Sequence, residues 1–217
     1  MESERVSDFI KQYLHPKDDV LKDLREAAEA EGVPVIRIET ESFLKTLLLL
    51  IKPRRVLELG TATGYSAILM ARTVEGDDPG PETIDTIEDW EPRIAKARVN
   101  IENTGCSEKI RLIKGDAAEI MKTLTKPYDL IFIDAAKGQY PDYFREAMRL
   151  THKGSVILAD NIMQDGEILE SKYAVARRDR TIHKRMREHL EMLSSDERLE
   201  TTIIPVGDGM TLSVRRI

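Results

Sequence analysis

The sequence predicts an α/β fold of the Rossmann-like kind. We expect a seven-stranded, mostly parallel sheet with an antiparallel last strand, helices on both faces and an N-terminal helical extension. From Arg54 onward, short β-branched apolar runs alternate with segments of helical spacing, which is the rhythm of a doubly wound sheet. The last two runs flank Gly207-Asp208-Gly209, a turn typical of a hairpin, and therefore predict antiparallel pairing.

The elements can be assigned in order along the chain. Pro16 and Asp18 suit the start of a first helix, Gly32 suits its end, and Thr40 suits the cap of a second helix. Five apolar runs are typical of buried parallel strands, at 55–59, 83–87, 110–113, 130–133 and 156–159. Helical spacing follows the first four runs, at 65–72, 92–103, 117–124 and 140–150. The hairpin strands are predicted at 199–206 and 210–216.

Composition limits the class of protein. The chain has 217 residues, 41% of them hydrophobic, which suits a single domain with helices at 1–52 and an α/β core at 53–217. No apolar run approaches the ~20 residues of a membrane-spanning helix, and the charged N-terminus lacks a signal-peptide core. Because Cys106 is the single cysteine, disulfides within the chain are excluded. We therefore expect a soluble cytoplasmic protein without a membrane partner.

A glycine-containing turn follows the first predicted strand. In Glu58-Leu59-Gly60-Thr61-Ala62-Thr63-Gly64, Gly60 permits a tight turn and Gly64 permits close approach of a ligand to the next helix. The pattern differs from the GxGxxG of dinucleotide-binding proteins. The acid Glu58 suits a cationic ligand, such as an amino group or a sulfonium, better than a pyrophosphate. The alternative is a plain strand-to-helix turn.

Acidic residues end the next two strands. Ligands of open α/β sheets bind at the carboxyl ends of the strands, and an acid at Glu88 can accept the hydroxyls of a ribose. Asp116 follows the third strand and can cap the next helix, contact the edge of an adenine, or do both. Alone, Glu88 would be one more acid in an acidic loop.

Three oxygen-bearing side chains follow the fourth and fifth strands. Asp134 comes directly after one apolar run, and Asp160 and Asn161 come after the next. Carboxylate and amide oxygens suit Mg²⁺ or another divalent cation. Lys137 lies close by in the sequence. The sequence therefore predicts a metal site, with helix capping and turn formation as the alternative for each strand end.

In combination, these motifs resemble the cation-dependent O-methyltransferases of the catechol and caffeoyl-coenzyme A type, which have a class I methyltransferase fold. The likeness begins near Ile38 and continues to the C-terminus. Within that family, the sequence resembles most the bacterial enzymes that methylate 5-hydroxyuridine at the tRNA wobble position to 5-methoxyuridine. The resemblance implies a homodimer, catalytic Lys137 and Asp134, and metal ligands Asp134, Asp160 and Asn161. Together with the glycine turn, it implies an S-adenosylmethionine site formed by Ile38, Glu58, Gly60, Gly64, Ser66, Glu88, Asp116, Ala117 and Asp134.

This chemistry does not choose the substrate. A divalent cation can bind two adjacent oxygens, lower the pKa of a hydroxyl and orient the oxyanion, while Lys137 accepts the proton. Both a catechol and 5-hydroxyuridine offer two adjacent oxygens. The residues therefore leave a tRNA methyltransferase and a small-molecule methyltransferase open. A non-catalytic binding module is a third hypothesis, which the intact metal residues and Lys137 disfavour.

A basic stretch favours RNA in a chain whose net charge is −6. Residues 172–187 hold seven basic residues and one acid, and are predicted to form an amphipathic helix. Such a patch can neutralise RNA phosphates, which favours the tRNA anticodon loop as partner. The alternatives are a solvated helix face or attraction of coenzyme A phosphates. The predicted RNA contacts are Arg177, Arg178, Arg180, Lys184, Arg185 and Arg187.

Overall fold

The computed structural model describes residues 8–10, 12–14, 18–73 and 80–217. Residues 8–10 are helical, and the helices after them are numbered in chain order: α1 Asp19–Ala30, α2 Ile38–Ile51, α3 Tyr65–Arg72, α4 Glu91–Asn103, α5 Ala117–Thr123, α6 Tyr140–Arg149 and α7 Arg180–Ser195. The strands are β1 Arg55–Leu59, β2 Thr83–Glu88, β3 Ile110–Lys114, β4 Tyr128–Ile133, β5 Thr151–Ala159, β6 Leu199–Ile204 and β7 Met210–Arg215. None of these helices is long and apolar enough to cross a membrane.

The seven strands form a sheet in the order β3-β2-β1-β4-β5-β7-β6. β4 pairs in parallel with β1 and β5, and β2 pairs in parallel with β3. β7 runs antiparallel to both β5 and β6, so it is inserted between them. The predicted Rossmann-like sheet with an antiparallel last strand is confirmed.

The chain divides into two compact units. One comprises the described residues up to Arg54 together with Thr61–Lys114, and the other comprises Arg55–Gly60 together with Gly115–Ile217. In the first unit, α3 and α4 each pack against β2 and β3. In the second, α6 packs against β4 and β5, and α7 packs against α6. The single domain expected from the sequence stays a prediction.

The N-terminal helices confirm one predicted cap and contradict another. Asp18 caps α1 by accepting a hydrogen bond from the Val20 N–H at 2.9 Å, and it also binds Arg72 at the end of α3 at 2.7 Å. Pro16 lies outside the described residues. Thr40 does not cap α2, because that helix begins two residues earlier at Ile38 and Thr40 is buried in its first turn.

The helix predicted from the basic stretch begins later than expected. α7 starts at Arg180, so Lys172, Val175, Arg177 and Arg178 precede it in turns. The prediction that the amphipathic helix includes residues 172–179 was therefore wrong. The buried face of α7 consists of His183, Met186, His189 and Leu193. Two of these four buried residues are histidines.

One of these buried histidines makes stability depend on pH. The ring of His189 has no exposed surface and lies edge-on to Tyr140, with ring centroids 5.3 Å apart. Neither ring nitrogen makes a hydrogen bond of normal geometry, and burial lowers the pKa of His189 to about 4. Below its ordinary pKa of about 6.5 the unfolded chain binds a proton that the folded chain excludes.

We therefore expect the free energy of unfolding to fall by up to about 3 kcal/mol as the pH drops from about 6.5 to 4. His189→Leu removes the titrating ring and should flatten this part of the profile in equilibrium urea unfolding. His152→Gln is the control, because His152 is exposed and a hydrogen bond to the Lys153 carbonyl raises its pKa instead. An equally steep profile for His189→Leu would contradict the assignment.

Candidate functional site

Two strand ends in the second unit bring the predicted metal ligands together. In the register of β1, β4 and β5, Leu59 lies beside Ile133, and Ile133 beside Ala159. The backbone pairing continues one residue further, because the Asp134 N–H donates to the Leu59 carbonyl at 3.0 Å and the Asp160 N–H to the Ile133 carbonyl at 2.9 Å. Asp134 and Asp160 therefore start from adjacent positions at the carboxyl ends of β4 and β5.

Asn161 links the two carboxylates. Its side-chain Nδ2 donates to Asp134 Oδ1 at 2.8 Å, and its backbone N–H donates to Asp160 Oδ1 at 2.8 Å. The φ angle of Asn161 is +58°, a left-handed conformation that asparagine tolerates better than most residues. Asp134, Asp160 and Asn161 thus form one group, which we call the oxygen cluster.

The electrostatics of the oxygen cluster favour a positively charged partner. Burial raises the pKa of Asp134, while the Asn161 hydrogen bond and the positive charge of Lys137 oppose that shift. Asp160 is 2% exposed, and its carbonyl accepts a 2.8 Å hydrogen bond from the Tyr140 hydroxyl. Burial holds the pKa of Tyr140 well above its ordinary value, so this hydroxyl stays a neutral donor.

The donor types of the oxygen cluster fit a divalent cation. Two carboxylates and one amide oxygen form the all-oxygen set that Mg²⁺ accepts together with water or substrate oxygens. Among the described residues, no group of three or more His, Cys, Asp or Glu side chains is placed to hold a metal. The third protein ligand would be the amide of Asn161. Its oxygen, not its Nδ2, would face Asp134 after a rotation of about 180° that exchanges the two atoms of the amide.

Lys137 follows β4 in a short 3₁₀ turn, Lys137–Gln139. Its Nζ lies 3.8 Å from Asp208 Oδ2, and Asp208 is 8% exposed. Sequence reasoning missed Asp208, which it treated only as part of the hairpin turn. The sequence does show an acid between two glycines. It does not show which strand of the sheet the hairpin pairs with, and so it could not place Asp208 near Lys137.

In the first unit, Glu88 holds the residues of the glycine turn. Glu88 Oε2 accepts from the Ala62 N–H at 2.9 Å, and Oε1 accepts from the N–H groups of Asp89 and Trp90 at 3.2 and 3.1 Å. An ionised carboxylate has about four acceptor sites, so these three bonds leave little capacity unused. The acid at the end of β2 therefore also has a structural role that the sequence had not suggested.

The two glycines of the turn are required for different reasons. Gly60 has φ +96°, and a Cβ there would overlap the backbone carbonyl oxygen of Asp134. Gly64 has φ +86°, which favours glycine, whereas a Cβ there would only make ordinary contact with Ala97 of α4, 3.5 Å from its Cβ. Asn100 of the same helix donates to the Thr63 carbonyl at 2.8 Å. The turn is therefore packed closely against its neighbours.

The remaining predicted cofactor residues lie in varied surroundings. Glu58 is fully buried within β1, and Ser66 is buried in the first turn of α3. Asp116 caps α5, accepting from the Glu119 N–H at 3.0 Å, and its other carboxylate oxygen accepts from Gln139 at 3.2 Å. The capping role is confirmed. Ile38 starts α2 and is half-buried, and Ala117 starts α5 and is buried.

A buried ionic cluster near the glycine turn was not predicted. Glu41 is 2% exposed and accepts from Arg25, Lys45 and the Tyr65 hydroxyl at 2.7, 2.7 and 2.6 Å. Burial would raise the pKa of Glu41, but these hydrogen bonds together lower it, whereas burial raises the pKa of Tyr65. The cluster links α1 and α2 to the first residue of α3. In sequence its members are ordinary charged helix residues.

The predicted RNA contacts are largely engaged in internal bonds. Arg180 and Arg187 donate to backbone carbonyls of the segment 168–175, which precedes α7. Arg185 donates to the Gly138 carbonyl at 3.0 Å and pairs with Asp142 and Glu188. Arg177, Arg178 and Lys184 are exposed. Arg180 and Arg187 are exposed as well, and hydrogen bonds to carbonyls do not neutralise a guanidinium. The charges balanced by neighbouring acids are those of Arg178, beside Asp179, and of Arg185.

Comparison with known proteins identifies the class and then the family. The fold is that of Rossmann-like methyltransferases. One similar structure is the crystal structure of TomG, an O-methyltransferase from Streptomyces achromogenes involved in tomaymycin synthesis, in complex with SAM. It superposes with a TM-score of 0.84 at 27% sequence identity, and the superposition covers 100% of both chains. Residues 11–217 match the O-methyltransferase family model, and the chain belongs to that family.

Two curated relatives cover nearly the whole chain. Catechol O-methyltransferase from Niastella koreensis is 32% identical over 222 residues, which span 97% of this chain and 96% of the relative. Catechol O-methyltransferase from Mycobacterium tuberculosis is 33% identical over 220 residues, which span 97% and 95%. The predicted resemblance to catechol-type O-methyltransferases is thus confirmed at the level of the family.

Proposed function

We propose that this protein is an S-adenosylmethionine- and divalent-cation-dependent O-methyltransferase whose substrate is a small aromatic molecule with two adjacent oxygens. The oxygen cluster is the observation that carries the proposal, because it groups Asp134, Asp160 and Asn161 at neighbouring strand ends. Such a set can hold a cation that in turn takes two oxygens from a substrate. Relatives named catechol O-methyltransferase support the same class of substrate.

For the methyl donor, we propose the residues predicted from the sequence. S-adenosylmethionine supplies a methyl group carried on a sulfonium. Glu88 would accept from a ribose hydroxyl at the acceptor site that its three backbone bonds leave, and Asp116 would contact the adenine with the carboxylate that caps α5. Ile38, Glu58, Gly60, Gly64, Ser66, Ala117 and Asp134 complete the proposed set.

In the proposed reaction, each side chain has a limited task. When bound, the cation would lower the pKa of a substrate hydroxyl and fix two adjacent oxygens. Asp134, Asp160 and Asn161 would hold that cation with their oxygens. Lys137 would accept the hydroxyl proton at Nζ, and the surrounding residues would align the nucleophile with the methyl group. Tyr140 supports the cluster by its hydrogen bond to the Asp160 carbonyl.

The tRNA wobble 5-hydroxyuridine is our second candidate substrate. The exposed Arg177, Arg178 and Lys184 favour it, because exposed cations remain available for the phosphates of an anticodon loop. The ion pairs of Arg185 with Asp142 and Glu188 weigh against it, because they leave less charge for RNA. A homodimeric assembly likewise remains a proposal from the family resemblance.

We expect the purified protein to transfer a labelled methyl group to a 1,2-diphenol in the presence of Mg²⁺. A 1,3-diphenol and a monophenol are matched controls, because each lacks the second adjacent oxygen that the cation would need. A chelator should abolish transfer. Turnover of the 1,3-diphenol at the same rate, or activity that a chelator leaves intact, would contradict the proposal.

The same assay separates the two candidate substrates. Hydroxyuridine-containing tRNA replaces the diphenol, and formation of 5-methoxyuridine is measured by mass spectrometry of the digested tRNA. Charge reversal at Arg177 and Lys184 should leave diphenol turnover unchanged under our first proposal. If the wild-type protein methylates tRNA, the charge-reversal variant does not, and neither of them methylates a diphenol, the result would favour tRNA as the substrate.

A further inference from the structure

The turn between β6 and β7 is bonded to the loop that follows β5. The Met163 N–H donates to the Asp208 carbonyl at 2.9 Å, and the Ile162 N–H donates to the Gly209 carbonyl at 3.0 Å. The Asp208 side chain adds a third bond, because its Oδ1 accepts from the Asp165 N–H at 2.8 Å. Three residues of the loop 161–166, at positions 162, 163 and 165, are therefore bonded to the hairpin turn.

This loop has a backbone that needs such support. Asn161, Gln164 and Asp165 have φ angles of +58°, +53° and +53°, and none of them is a glycine. Left-handed conformations of non-glycine residues cost free energy and persist only where surrounding bonds determine them. Asn161 belongs to the oxygen cluster. The bonds that hold the loop therefore also help to fix the backbone position from which the Asn161 side chain extends.

The second carboxylate oxygen of Asp208 faces Lys137. The distance from Oδ2 to Lys137 Nζ is 3.8 Å, which is within ion-pair range but longer than a hydrogen bond. The carboxylate is 8% exposed, so water screens this interaction less than it would screen a surface pair. A lysine side chain has many rotamers, and a buried opposite charge restricts the positions of its amine.

We infer that Asp208 is a positioning residue that aligns Lys137 with the oxygen cluster. Its Oδ1 fixes the loop that begins with Asn161, and its Oδ2 restrains the amine of Lys137, so one carboxylate sets the relative placement of both. The inference rests on the proposed function, in which Lys137 accepts the substrate proton as a neutral amine, after the ammonium that pairs with Asp208 has released its own proton to solvent. In this inference Asp208 acts through these neighbours and not on the reacting atoms.

Asp208→Asn separates the two tasks of the carboxylate. The amide oxygen can still accept from the Asp165 N–H, but the negative charge facing Lys137 is lost. We expect kcat for the 1,2-diphenol to fall by about tenfold, with the KM for S-adenosylmethionine and the thermal midpoint nearly unchanged. Asp208→Ala loses both interactions and should also lower the thermal midpoint. Asp196→Asn is the matched control, since Asp196 pairs with Arg198 at the start of β6.

A double-mutant cycle distinguishes positioning from a general structural effect. If Asp208 acts through Lys137, Asp208→Asn should cause no further loss in a Lys137→Ala background, measured by single-turnover transfer of labelled methyl. If Asp208 only supports the fold, its tenfold loss should multiply with that of Lys137→Ala. That multiplicative result would overturn the inference.

A spectroscopic measurement decides the question without any turnover. In protein labelled with ¹³C at the lysine ε-carbons, the signal missing from Lys137→Arg identifies Lys137. Asp208→Asn should shift that signal, and Asp196→Asn should not. An unmoved Lys137 signal in Asp208→Asn overturns the inference. If the wild-type protein fails to methylate any diphenol, the proposed function fails, and this shift alone decides whether Asp208 positions Lys137.

Discussion

Asp160→Ala is expected to lower methyl transfer by about 10²–10³-fold, because it removes a buried carboxylate from the oxygen cluster. Affinity for S-adenosylmethionine should remain close to that of the wild type, since Asp160 is outside the proposed cofactor set. Asp134→Ala should weaken both cofactor and cation binding, because Asp134 belongs to both proposed sets. Calorimetric titration with Mn²⁺ and with the cofactor measures the two affinities separately from turnover.

Two further variants sharpen that test. Asp160→Asn keeps an oxygen that can accept from the Asn161 N–H, so it isolates the loss of charge from the loss of the 2.8 Å hydrogen bond. Asp129→Asn changes a carboxylate near the opposite end of β4, where it accepts from the Arg55 N–H at 2.8 Å. We expect Mn²⁺ binding to weaken in both Asp160 variants and to stay unchanged in Asp129→Asn. Wild-type Mn²⁺ affinity in Asp160→Ala would refute the assigned role.

Gly60→Ala is expected to destabilise the protein by about 4 kcal/mol, a large part of the 5–15 kcal/mol that holds a typical domain folded. The new Cβ would overlap the carbonyl oxygen of Asp134, which is backbone and cannot rotate away. The φ of +96° adds strain for any residue with a Cβ. Equilibrium unfolding in urea, followed by circular dichroism, measures the loss.

Gly154→Ala isolates the steric part of that effect. Gly154 has a similar φ of +90°, but a Cβ there would meet no atom within 4 Å. We expect it to cost about 1–2 kcal/mol, which is the backbone strain alone. Equal losses of unfolding free energy in the two variants would contradict this explanation. They would show that backbone strain alone, and not the overlap with the Asp134 carbonyl, makes a glycine necessary at position 60.

Sequence patterns predicted the buried strands well because their apolar runs are bounded by polar residues. β1 and α3 were predicted at their observed limits. β5 was predicted from Val156, but it begins at Thr151. The missed segment includes His152 and Gly154 and is an irregularity in the ladder, because Tyr128 of β4 pairs with Thr151 whereas Leu130 already pairs with Val156. Local composition could not reveal that pairing.

The basic segment shows the opposite error. Its charge spacing favoured one continuous helix over residues 172–187, but the helix begins only at Arg180. The side chains of Arg180 and Arg187 reach back to backbone carbonyls of the segment that precedes α7. Arginine side chains reach far enough to satisfy distant carbonyls, so their spacing along the sequence does not show which surface they occupy. The buried His183 and His189 were missed for a related reason, because histidine is polar in any hydropathy pattern.

The strand-end rule predicted the grouping of Asp134, Asp160 and Asn161, since parallel strands in register place their carboxyl ends together. It could not predict Asp208, because that residue arrives from an antiparallel hairpin whose neighbour in the sheet is not encoded locally. Glu41 and its cationic partners were also unpredictable, because they join three helices through side chains that look solvent-facing in sequence.

The hairpin that supplies Asp208 has a consequence for the order of events during synthesis. Asp165 and its acceptor Asp208 are 43 positions apart in the chain. At a typical elongation rate, the ribosome needs about 2–9 s to make that many residues. Throughout this interval the loop after β5 would lack its hydrogen-bond acceptors, which belong to Asp208 and Gly209. Because this loop carries Asn161, we expect the oxygen cluster to be fixed only after most of the sheet has been synthesised. Translational pauses within 166–208 should therefore delay the appearance of cation-binding protein more than the appearance of the earlier strands.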